Sequence, residues 1–103
     1  MSIVNLAGRY TGQCLSNEHS AVIAAAEKYT GQCLSDENRA LVAVAEKYTG
    51  KCISNVSSAL VYVAEKYTGR CLSGDSNAYD AIMSKHGRFN CNSKYYAILA
   101  VCL

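Results

Sequence analysis

Five of the six cysteines in this chain of 103 residues, Cys14, Cys33, Cys52, Cys71 and Cys91, each stand two residues ahead of a serine. The first four are 19 residues apart, the fifth follows after 20, and Cys102 is the sixth. Thiols can serve as nucleophiles, metal ligands or cross-links. Nucleophilic catalysis needs a base and an orienting group beside the thiol, and the two histidines, His19 and His86, stand at no recognisable spacing from a cysteine or a carboxylate. Structural zinc needs paired or clustered ligands, and the sequence has neither a C-x-x-C pair nor a His-Cys cluster. The carboxylates Glu27, Glu46 and Glu65 recur at the same stride, as solvated surface positions do. No glycine-rich phosphate loop is present, since each "TG" reads as a single helix stop. These patterns predict no catalytic site, no cofactor, no metal and no small-molecule substrate.

The elements that carry the cysteines are themselves repeated. The phrase "YTGQCLS" at 10–16 returns at 29–35, then as "YTGKCIS" at 48–54 and "YTGRCLS" at 67–73. In the unit 35–53, Ser35 stands where an N-cap belongs, and Asp36 and Glu37 follow at the positive end of a helix dipole. Leu41, Val44, Ala45 and Tyr48 then fall on one helical face, with Ala40 and Ala43 as smooth flanks. Lys47 suits the last turn, and Gly50 supplies the left-handed C′ position. Ser16, Ser54, Ser73 and Ser93 open the other helices in the same way, with stops at Gly31, Gly69 and Gly87. A strand reading competes, because "ALVYVA" is rich in β-branched residues, but the alternation of a half-buried strand is missing.

The sequence therefore predicts an all-α fold: one domain spanning 1–103, an α-solenoid-like array of short antiparallel helices, one helix per 19-residue unit. The units are a partial repeat at 1–12, repeats at 13–31, 32–50 and 51–69, and divergent repeats at 70–87 and 88–103. Short connectors are expected to reverse the chain at each step, placing successive cysteines at opposite ends, too far apart for Cys14 to bridge Cys33. The thiols are then expected to plug the hole below each turn as small apolar groups, with interchain disulfides the alternative. Tyr10, Tyr29, Tyr48 and Tyr67 are expected to pack over the next connector with wet hydroxyls, and alternation of ends leaves neither a stacking platform nor a flat threonine lattice.

A net charge of +2, in mixed Glu-Lys pairs, implies no nucleic-acid partner. No run reaches the roughly 18–20 apolar residues of a membrane span, and "MSIVNLAGRY" lacks the layout of a secretory leader. That leaves the compartment open, including an extracellular one for a mature chain. The two ends are nearly uncharged, with Ile3 and Leu6 at one and Ile98, Leu99 and Leu103 at the other. Bare apolar tips on a stacked array predict head-to-tail association with copies of itself, a filament or tube. The alternative is a small binding module in which the residues that vary between units, 17–20, 36–39, 55–58 and 74–77, line a surface for a peptide or protein.

Overall fold

The computed structural model describes residues 3–86 and 94–102. Among them are six α-helices and one 3-10 turn, with no strand: α1 (Ile3–Thr11), α2 (Glu18–Thr30), α3 (Glu37–Thr49), α4 (Val56–Thr68), α5 (Asp75–His86), the 3-10 turn Lys94–Tyr96, and α6 (Ala97–Cys102). The fold is all-α as expected, and neighbouring helices pack on one another. The caps lie one residue later than the serines. Asn17 and Asn55 accept through Oδ1 from the amides of Ser20 and Ser58 at 2.8 Å, and Asp36 accepts from that of Asn38. An amide or carboxylate side chain reaches the first-turn N–H groups from there, and the serines stay exposed in the connector. At the other end the glycine stops are as read: Gly31, Gly50 and Gly69 have φ of 75–77° and donate to the carbonyl four residues back at 2.8 Å.

The direction of the helices differs from the antiparallel expectation. Lys28 Nζ, in the last turn of α2, donates to the Tyr10 carbonyl in the last turn of α1 at 2.7 Å. Lys47 to Tyr29, Lys66 to Tyr48 and Lys85 to Tyr67 repeat the contact at 2.6–2.7 Å. At the opposite end, Ser57 Oγ donates to Asp75 Oδ2, joining the first turns of α4 and α5. A helix of 13 residues is about 20 Å long, beyond any lysine's reach, so last turns can meet only if α1 to α5 run parallel. The physical reason is connector length: six residues at about 3.3 Å each also cover about 20 Å, enough to return to the starting end.

α2, α3 and α4 bury equivalent quartets: Ala21, Val22, Ala25 and Ala26; Ala40, Leu41, Val44 and Ala45; Ala59, Leu60, Val63 and Ala64. Alanine flanks allow close lateral packing, and the row curves, since α6 touches both its first helix, α1, and its last, α5. α6 does not extend this row. It lies across α3, α4 and α5 and also reaches α1, and Tyr96, Ala97, Ile98, Leu99 and Ala100 are all buried in the main core.

Candidate functional site

The phrase Glu-Lys-Tyr-Thr-Gly at the ends of α2, α3 and α4 works as a joint, with Tyr-Thr-Gly alone kept at the end of α1 and the lysine alone at the end of α5. Glu27, Glu46 and Glu65 accept through Oε2 from the backbone amides of Leu34, Ile53 and Leu72 at 2.9–3.0 Å, each pinning its connector to its own helix. They are therefore structural acceptors, not the solvated positions that their regular recurrence implies. The lysines satisfy carbonyls that have no partner within the preceding helix and place their charge at its negative end. Each ammonium also sits over the ring of the tyrosine whose carbonyl it takes, 4.7–5.0 Å from the centroids of Tyr10, Tyr29, Tyr48 and Tyr67. The tyrosines thus serve the next unit's lysine. Thr11, Thr30, Thr49 and Thr68 donate to the carbonyl four residues back and accept from the amide two residues on. Their hydroxyls are committed within each joint.

Parallel helices held by one repeated joint put every return connector on the same face. On α3, Asn38, Arg39, Val42, Ala43 and Glu46 face the connectors, where they floor a groove of about 500 Å³ walled by Leu34 and Ile53. Glu37, Leu41, Val44 and Tyr48 lie on the opposite side of that helix, at roughly 100° per residue, toward α6. The molecule is layered: connectors, helix row, α6.

Within each connector the Leu or Ile turns inward, half-buried at Leu15, Leu34 and Leu72 and buried at Ile53, and the preceding cysteine is exposed. Cys14, Cys33, Cys52 and Cys71 are all free, exposed thiols. This overturns their reading as apolar plugs and their placement at alternate ends. The aliphatic neighbour fills the site below the turn, and an extended segment sends adjacent side chains to opposite sides. The four form one row, one thiol per turn. Cys102 differs: half-buried, its thiol is pushed up to about 12 by burial, with Lys66 opposing. Burial, and next the Cys102 thiol, raise the phenols of Tyr29 and Tyr48. Cys91 and Leu103 lie outside the described residues.

The tips are covered as well. Ile3 is fully buried, Leu6 is partly buried against the core, and Ile98 and Leu99 are fully buried, because α6 folds back over the row instead of standing at its end. Two polar clusters fix it there. Tyr95 Oη donates to Asp75 Oδ2 at 3.0 Å and Lys94 Nζ pairs with Asp75 Oδ1 at 3.2 Å. Tyr96 Oη donates to Glu37 Oε2 at 2.9 Å, with His19 Nδ1 3.4 Å from the same oxygen. The Tyr95 hydrogen bond, then Lys94, hold the Asp75 carboxyl below its ordinary range. Sequence reasoning singled out neither cluster, since their partners are up to 59 residues apart. The glutamates and lysines of the joint did leave a signal, their fixed places before three of the four Tyr-Thr-Gly phrases. Among the described residues no group of histidines, cysteines and carboxylates is placed to hold a metal ion, and no helix is long and apolar enough to cross a membrane. Neither the family models, nor the curated proteins, nor the solved structures give a match to this chain.

Proposed function

We propose that the chain is a structural protein, not an enzyme, whose α-solenoid-like repeat body associates with copies of itself. The observation that carries this reading is the row of four exposed thiols, set at a constant stride on connectors that threonine side chains hold in all four turns and glutamates in the last three. Near-identical chemistry in every turn suits a repeated contact along a surface better than a single reactive centre. A net charge of +2 offers little repulsion between copies. Covering of Ile3, Ile98 and Leu99 removes the ground for tip-to-tip stacking, so the contact surface proposed is the connector face. Sedimentation velocity over a range of concentrations, with and without reductant, tests the reading. It predicts a species heavier than one chain; a single-chain mass under every condition contradicts it.

A second reading draws on the groove. Asn38, Arg39, Asn55 and Val56 come from the stretches that vary between units, and they line it together with Leu34 and Ile53. Such a lining fits a binding module for an extended peptide. Alanine substitution of Arg39 that abolishes capture of a peptide ligand, with self-association unchanged, would favour it.

A further inference from the structure

From the thiol row and the charges beside it, we infer that two copies meet connector face to connector face about a two-fold axis parallel to the helices, with Cys33 of one copy opposite Cys52 of the second copy. This rests on the structural reading above and gives it a register. The four thiols are exposed on one face at one stride. Adjacent turns of one chain are separated by the helix spacing, about 8–10 Å, which exceeds the roughly 7 Å that disulfide-bonded α-carbons allow. Neighbouring thiols in one row therefore cannot close on each other without backbone movement, and a partner must come from another molecule.

A periodic row matches itself in two face-to-face ways. With the axis along the row, each connector meets its own counterpart, so that Lys51 faces Lys51 and Arg70 faces Arg70. With the axis along the helices, the row is reversed: Cys14 meets Cys71, Cys33 meets Cys52, Gln13 meets Arg70 and Gln32 meets Lys51. The residue just before each cysteine decides between them. It is neutral in the first two connectors (Gln13, Gln32) and cationic in the last two (Lys51, Arg70), all four being exposed. Lys51 lies over the Tyr62 ring, 4.8 Å from its centroid, which keeps its charge on this surface. Reversal sets each cation against an uncharged amide, whereas the other axis stacks like charges. The pair Cys33–Cys52 lies nearest the axis and stays in contact even where the row curves away.

Closing this pair needs an oxidant, and a small-molecule disulfide such as oxidised glutathione supplies it. The Cys33 thiolate attacks one sulfur of that disulfide, forming a mixed disulfide and releasing one equivalent of the small thiol. The Cys52 thiolate of the second copy then attacks the Cys33 sulfur and releases the other. One disulfide forms, two protein thiols lose two electrons and two protons, and the small disulfide takes them up as two thiols.

The test mixes isotope-labelled and unlabelled full-length chain, oxidises it in a glutathione buffer, and maps the linked peptides by mass spectrometry. The expected result is a reducible dimer whose main link joins Cys33 to Cys52 in mixed-isotope peptides. Links of Cys33 to Cys33 or Cys52 to Cys52, or only same-isotope pairs, overturn the register. Gln32→Lys sets like charges against each other in the reversed dimer and should lower the yield of that link about threefold, the effect of a surface charge pair, with recovery in high salt. An unchanged yield also counts against the register. Sedimentation of the reduced chain separates the two levels: association that persists with the wrong links overturns the register alone, whereas a monomer under reductant and oxidant alike overturns the structural reading with it.

Discussion

Gly50 sits at φ 76° with open space where a Cβ would stand, so replacing it tests backbone conformation and nothing else. Gly50→Ala should cost about 1–2 kcal/mol, the strain of a left-handed alanine, measured as a lower urea midpoint at unchanged slope. Glu46 and Lys47 test the joint from its two sides. Glu46→Ala leaves the part-buried Ile53 amide without its acceptor and should cost about 1–2 kcal/mol. Lys47→Met keeps the aliphatic stem but loses the Tyr29 carbonyl bond and the ring contact, for about 1 kcal/mol. If Glu46→Ala were neutral in urea unfolding, the connectors would not be held as described. The contrast between Cys33 and Cys102 belongs here too. The exposed thiol should react with a maleimide long before Cys102, whose thiolate is suppressed by burial; equal rates would mean that the end of α6 is not packed against the core.

At the scale of elements, helix starts and stops were legible in the sequence because they are local: a polar cap, an acidic first turn and a glycine suffice. Helix direction was not legible. A six-residue connector such as 31–36 can turn sharply or run extended along the helix, and no local propensity separates the two. What decides is tertiary: Glu27 capturing the Leu34 amide and Lys28 reaching the Tyr10 carbonyl. The placement of α6 was hidden for the same reason, since "YYAILAV" reads equally as one more unit or as a lid. The Asp75 cluster should make this lid pH-sensitive. The folded state holds the Asp75 carboxyl below its ordinary value of 3.8, chiefly through Tyr95 and then Lys94. Its contribution is therefore complete above the ordinary carboxylate range and is lost as the pH falls through the lowered folded value. Urea unfolding of Asp75→Asn between pH 5 and pH 2 should show a shallower acid loss than the parent chain; identical slopes would remove Asp75 from the account.

At the scale of the whole molecule, one change of direction reorganises the surface. Antiparallel units would scatter Cys14, Cys33, Cys52 and Cys71 over two ends, whereas parallel units gather them on one face and leave the other for α6. The proposed self-association and its register both depend on that gathering. Spin labels on Cys33 and Cys52, with the remaining cysteines replaced by serine, test it most directly through dipolar broadening of the electron paramagnetic resonance spectrum. Parallel helices predict label attachment points one helix spacing apart, about 8–10 Å, and strong broadening. A separation near one helix length, about 20 Å, with little broadening would contradict the parallel row and everything built on it.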